Sequence, residues 1–305
     1  RSTLFPYTTL FRSPYRWLPV GRGDTKEMRQ LFATFVCVLI CGSSAAASVV
    51  PEWKDPRIVE RNKERPFATH FSFSTAQEAI QNAPERASNY VSLNGAWRFN
   101  WAPKPADAPP DFWKGDFNAS GWRTIPVPAD WVRHGYGRYL YADEDYNFPY
   151  NVPQVPEDDN PVGSYVHEFV VPDDWSGRRI FIHFGSVRTV FYLWVNGRAV
   201  GYSEDSRLPA EFDLTEFVQP GKNKLALKVL QWADAAYLEG QDMWRMGGIE
   251  RDVYLYAAPA TRIRDLFFRA GLDEQYKDGT IDLDVEVVRA AAYMEIGRAS
   301  CRERV

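Results

Sequence analysis

The chain has 305 residues, 45% hydrophobic and 25% charged, and its 36 Lys and Arg against 40 Asp and Glu give a net charge of −4. This balance excludes a disordered chain and argues against a basic nucleic-acid-binding surface. No apolar run reaches 18 residues, so the pattern predicts no spanning helix and no membrane partner.

From the N-terminus, the first readable element is a secretory signal over 28–47. Met28 and Arg29 open it, 31–41 (LFATFVCVLIC) is an apolar core, and Ala45-Ala46-Ala47 supplies a small-residue cleavage site. Maturation is expected at Ser48, and the product is expected to be exported. Ile40 before Cys41 disfavours lipidation. The preceding residues 1–27 read as a non-native leader. Both 3–13 (TLFPYTTLFRS) and 295–305 (EIGRASCRERV) can be back-translated into DNA, and the two strands so written are reverse complements over nearly their whole length. Both ends therefore resemble a translated sequencing adapter, and 295–305 reads as an adapter-derived tail. The set-aside ends hold nine of the 36 basic and four of the 40 acidic residues, which leaves 48–294 at −9. They also hold all three cysteines, so no disulfide is expected and the core must hold the fold alone.

Residues 48–89 are polar and irregular, with one short helix over 75–81. From Tyr90 the pattern changes to short strands at 164–171, 179–184, 189–195, 224–232 and 252–256, rich in Val, Ile, Phe and Tyr. Asn196-Gly197 predicts a hairpin turn, and Pro220-Gly221-Lys222-Asn223 a second turn. Between Pro126 and Pro161 lies a long loop crowded with Pro, Asp, Asn and Tyr, of a length that usually serves function. After Pro259 a new alternation begins at Ile263, Leu266 and Phe268. It resumes at Ile281, Leu283, Val285 and Val287, with a turn at Asp278-Gly279 between the two runs. The fold class predicted is all-β: a jelly-roll sandwich over 90–258, then the start of a second sandwich over 259–294.

No phosphate loop, dinucleotide fingerprint or paired-Cys metal site is present. His70, His134, His167 and His183 share no ligand spacing, and the last two read as ordinary strand residues. Ten of the 11 tryptophans lie in 48–294, most of them expected in the core. Two segments look less core-like: 141–147 (YADEDYN) and 239–249 (EGQDMWRMGGI). They interleave flat rings with carboxylates and amides, which suits the apolar faces and hydroxyls of sugars.

These residues carry a specific resemblance. LNGAWRF at 93–99, VPADW at 127–131, NPVGSY at 160–165, LWVNG at 193–197, DSRLP at 205–209, EFDL at 211–214 and QDMWRMGGI at 241–249 are collinear. In this order and spacing they resemble the N-terminal region of bacterial β-galactosidases of glycoside hydrolase family 2. The resemblance implies a galactose-binding-like jelly roll followed by an immunoglobulin-like domain. It also implies a catalytic barrel beyond them that carries both catalytic glutamates, so no catalytic residue is assigned to this chain. It matches Asp242 to a family aspartate that contacts galactosyl hydroxyls and a sodium ion. It matches Asp143 to a family asparagine that contacts galactose, with the amide replaced by a carboxylate that keeps the acceptor and loses the donor. It further implies a β-galactoside substrate, sodium and magnesium ions, and a homo-oligomeric full-length enzyme. A stand-alone carbohydrate-binding module, or a β-glucuronidase or β-mannosidase of the same family, are the alternatives.

Overall fold

The computed structural model describes residues 50–73, 75–143, 145–289 and 294–304, the last as backbone only. The expected leader and signal peptide lie outside the described residues. The strands, in chain order, begin with β1 (Glu60–Arg61), β2 (Tyr90–Ser92), β3 (Gly95–Ala102), β4 (Arg123–Val127), β5 (Ala129–Asp130), β6 (Tyr141–Ala142) and β7 (Val162–Val171). They continue with β8 (Arg179–Phe184), β9 (Val187–Arg188), β10 (Val190–Val195), β11 (Arg198–Ser203), β12 (Ala210–Asp213) and β13 (Gly221–Leu230). Last come β14 (Met243–Trp244), β15 (Gly248–Ile249), β16 (Val253–Ala258), β17 (Thr261–Leu272), β18 (Gly279–Arg289) and β19 (Met294–Arg304). The single α-helix among the described residues, α1 (Ala76–Gln81), follows Thr75, whose side chain accepts from the Glu78 N–H at its first turn.

Two antiparallel sheets make a β-sandwich. One has seven strands in the order β1-β11-β10-β13-β7-β3-β4, the other four in the order β12-β8-β16-β2. Each strand turns alternate side chains inward. Trp97, Phe99, Leu193 and Leu227 from the first sheet pack with Phe184 and Phe212 of the second, all essentially inaccessible to solvent. Burying each such side chain stabilises the fold by roughly 1.5–3 kcal/mol. The strands predicted from β-rich runs are β7, β8, β10, β13 and β16. Asn196 and Gly197 join β10 to β11 with φ of 52° and 79°, the left-handed pair that a two-residue hairpin of this twist requires.

Two predicted turns move. Residues 221–223, expected in a turn, already belong to β13, with Gly221 paired to Val171. The chain reverses just before them because the Asn223 side chain reaches back. Its Oδ1 accepts from Gln219 N at 2.9 Å, and its Nδ2 donates to Gln219 O at 2.7 Å and Gly221 O at 2.9 Å. The connection from β17 to β18 is likewise no two-residue turn at Asp278-Gly279. It spans 273–278, where Asp273 Oδ1 accepts from the N–H of Gln275 and of Lys277.

The predicted hairpin after Pro259 is present as β17 and β18, with Ile263 opposite Val287, Leu266 opposite Val285 and Phe268 opposite Leu283. β19, which runs through the residues read as adapter, completes a three-stranded sheet along β18. Main-chain pairing is indifferent to the origin of a strand. Arg65 Nη2 reaches Glu286 at 2.7 Å, and the Arg262 guanidinium lies 4.5 Å from the Phe181 ring centroid, so this sheet touches the sandwich.

Candidate functional site

The long loop between β4 and β7 has proline at 128, 149, 153, 156 and 161, which bars a regular ladder. It is held instead at points. Trp131 is fully buried, and its indole lies so close to the chain that a Cβ on Gly247 would stand 2.2 Å from the ring. Gly248, at φ +137° and with Ala129 O where its Cβ would be, threads β15 between β5 and β9. Only glycine meets both demands, so the Gly-Gly of 241–249 is a packing requirement.

These contacts let β6 and β14 pair as a two-stranded ribbon, with Tyr141 opposite Trp244 and Ala142 opposite Met243. Arg245 N–H continues it by donating to Leu140 O at 2.7 Å. Asp143 directly follows Ala142 and Asp242 directly precedes Met243, so both stand at the same end of the ribbon. The two residues singled out in the sequence thus stand at one end of the ribbon, although they are 99 positions apart. Both are exposed.

Around the acids stand rings. The Tyr141 hydroxyl donates to Asp242 Oδ1. That bond, then desolvation and the negative charges of Asp242 and Asp143, holds the phenol pKa above its ordinary value. Trp244 is half exposed and meets Tyr141 edge to face at 5.3 Å and Tyr139 at 5.9 Å. Half of the ten tryptophans, Trp53, Trp97, Trp131, Trp175 and Trp232, are buried as expected, and Trp244 is the exposed one.

Beneath the ribbon lies a buried layer of charge. Arg188 Nη1 is 3.5 Å from Glu250, and its Nη2 is 3.7 Å from Met243 Sδ, which Arg207 also contacts. Arg245 donates to Glu239 O at 3.2 Å, while the Glu239 carboxylate accepts from Ser206 Oγ at 2.7 Å. Burial lowers the pKa of Arg188 and Arg245 and raises that of Glu239. Within the DSRLP motif, buried Ser206 thus holds the Glu239 carboxylate, and exposed Arg207 reaches Met243 of the ribbon. Sequence reasoning missed Tyr141, Trp244, Arg188, Arg207 and Glu239 as site residues. Tyr141 and Trp244 lay inside the two segments it picked out, whereas Arg188 carries no local signal. His167 stacks on Trp97 at 4.7 Å and His183 on Tyr254 at 4.6 Å, as strand residues do.

Among the described residues, no group of three or more His, Cys, Asp or Glu is placed to hold a metal ion. Asp242 and Tyr141 offer oxygen only, the donor type that sodium takes, but fewer oxygens than a full shell. Chemically, the ribbon presents two carboxylate acceptors, a phenol and an open indole face, a set suited to a polyhydroxylated ring.

Residues 90–259 match the family described as "Glycosyl hydrolases family 2, sugar binding domain". The chain is similar to the beta-galactosidase of Priestia megaterium, 38% identical over 250 residues, and to that of Vibrio cholerae, 40% identical over 245 residues. Both alignments cover 80% of this chain and 24% of the relative, so the chain spans about a quarter of the length of these relatives. Among solved structures it resembles a beta-glucuronidase from glycoside hydrolase family 2, with a TM-score of 0.52 and 20% identity, over 71% of this chain and 25% of that one. At that identity the likeness is one of fold.

Proposed function

Since this chain belongs to glycosyl hydrolase family 2, we propose that it is the sugar-binding part of an exported β-galactosidase that hydrolyses terminal β-D-galactosides with retention. The ribbon walls one side of the galactosyl pocket, with Asp242 and Asp143 accepting hydroxyl hydrogen bonds and the Trp244 face beside them. Asp242 also supplies one oxygen to a sodium ion, whose other ligands come from outside the described residues, and magnesium serves elsewhere in a homo-oligomeric enzyme. The observation that supports this reading best is the convergence of two loops, distant in sequence, on one exposed ribbon of acids and rings. The near-40% identity to β-galactosidases adds to it.

Retaining hydrolysis needs two carboxyl groups about 5–5.5 Å apart, and neither is assigned to this chain. The purified chain alone is therefore expected to release nothing from a chromogenic β-galactoside above the buffer blank. Turnover that survives further purification contradicts that assignment. The site is tested in the full-length enzyme with Asp242→Asn, which keeps shape and one acceptor and removes the charge. A hydrogen bond to a charged group is worth roughly 1.5–3 kcal/mol, so kcat/KM is expected to fall by about one to two decades. Sodium dependence weakens with it, while the Tm without sugar or sodium stays put. Normal kcat/KM with an unchanged sodium response overturns the assignment.

A further inference from the structure

Behind the ribbon, two carboxyl groups with no site role lie buried together. Glu204 follows β11 and is 3% exposed, and Asp234, 7% exposed, opens the 3-10 turn Asp234–Tyr237. The Tyr202 hydroxyl donates to Glu204 Oε1. Glu204 Oε2 and Asp234 Oδ2 are both buried with no hydrogen-bond partner among the described residues, and the two carboxyls lie near enough for each to act on the other's ionisation. Ionised carboxylates only accept, so these two neighbours can satisfy each other only when one of them carries a proton.

Among the described residues, no cation relieves the pair. Lys63 is engaged by Glu60 at 3.0 Å and Asp205 at 3.7 Å, and Arg57 by Asp55 at 2.7 Å. The other titratable groups facing it are neutral or acidic. They are Tyr202 on β11, Tyr192 on β10 with its partner Glu52, Asp55 just after the 3-10 turn Glu52–Lys54, and Glu239. Burying two uncompensated charges side by side is the costlier alternative. Burial pushes the Glu204 carboxyl up to about 8, against the downward pull of the Tyr202 hydrogen bond, and raises Asp234 as well.

The turn that Asp234 opens holds both site loops. Tyr237 Oη donates to Gln154 O at 2.6 Å and accepts from Asn151 N–H at 3.1 Å. Tyr237 O accepts from Tyr146 Oη at 2.9 Å, three residues after Asp143. Five residues beyond Tyr237 the chain reaches Asp242.

We propose that Glu204 and Asp234 share one proton, and that this proton is a positioning device for the galactoside site. It ties the 234–237 turn to β11, and the turn in turn sets the loops that carry Asp143 and Asp242. The site is then assembled in weakly acidic solution and loosens as the pH rises. The device rests on the galactoside reading only for what it positions.

When the turn opens, Glu204 returns to water and to its ordinary value of 4.5. The opening equilibrium should therefore rise about tenfold per pH unit between the ordinary and the raised values and level off above the latter. Hydrogen exchange of the whole chain, corrected for intrinsic exchange, reads this without any sugar. In the wild type, protection over 139–154 and 234–249 is expected to fall about a hundredfold from pH 5.5 to 7.5, while β7 and β13 stay the better protected segments throughout. Glu204→Gln, whose amide donates without titrating, should keep protection level across that range, and so should Asp234→Asn. Glu204→Ala should lose protection at both pH values. A level wild-type profile, or a Gln variant with the wild-type slope, overturns the proposal. If the slope appears and vanishes as expected while Asp242→Asn leaves kcat/KM normal, the device stands and the galactoside reading falls.

Discussion

A Cβ at Gly247 would stand 2.2 Å from the Trp131 ring, whereas one at Gly240 would be 3.4 Å from Tyr146. The ring is fixed by a full shell of neighbours, so the first contact cannot be relieved cheaply. Gly247→Ala is expected to destabilise the chain by about 3 kcal/mol, and Gly240→Ala to stay within about 0.5 kcal/mol, both read from urea unfolding. Equal effects would mean that Trp131 can move aside. The Tyr141 phenol gives a second residue-scale test. Its titration is held up first by the bond to Asp242, so Asp242→Asn should return one phenol toward the ordinary range. The change should be visible as phenolate absorbance at lower pH and absent when Tyr141→Phe is added.

Single side chains also decide where elements begin. Asn223 is buried, and its amide closes the turn before β13 through Gln219 and Gly221 while its Oδ1 also accepts from Asn196 Nδ2 at 2.8 Å. Asn223→Ala strands several part-buried polar groups and should cost about 2–3 kcal/mol. An equilibrium ΔΔG under about 1 kcal/mol would show that water replaces them. This long reach is why the turn was misplaced from sequence: Pro-Gly-Lys-Asn has turn composition, but its asparagine acts from inside the strand. The large strands were legible because their runs are rich in Val, Ile, Phe and Tyr, and most of those side chains are buried. Even the uneven step from Ile263 to Leu266 was meaningful, since the β17–β18 register shifts between Ile263 and Asp265. The site was legible only in part. Residue types in 141–147 and 239–249 pointed to a wet aromatic surface, and the resemblance pointed to Asp143 and Asp242. Their meeting at one end of a ribbon, and the arginines beneath it, depend on contacts between distant segments that no local pattern records.

At the scale of the whole molecule, two buried groups bend the stability profile in opposite directions. His167 is partly buried against Trp97, and burial lowers its pKa. The unfolded chain then binds a proton below 6.5 that the folded chain refuses, and stability drops as the pH falls through that value. Glu204 works the other way, because the folded chain keeps a proton up to about 8 that the unfolded chain releases near 4.5, so stability drops as the pH rises between them. Just below 6.5 the two slopes oppose one another, and from about 6.5 to 8 the Glu204 loss stands alone. Thermal melts across pH should show that loss in the wild type and a flatter limb in Glu204→Gln. A limb unchanged by the substitution would assign it to other groups. The ribbon has a consequence in time as well. Tyr141 and Asp242 are 101 positions apart, with β7 to β13 between them. Closing so long a loop before those strands have formed is entropically unfavourable. The site should therefore assemble after the rate-limiting step of folding. Tyr141→Phe and Trp244→Ala are expected to speed unfolding and leave the refolding rate unchanged, so that the candidate site is the last part of the molecule to form and the first to come apart.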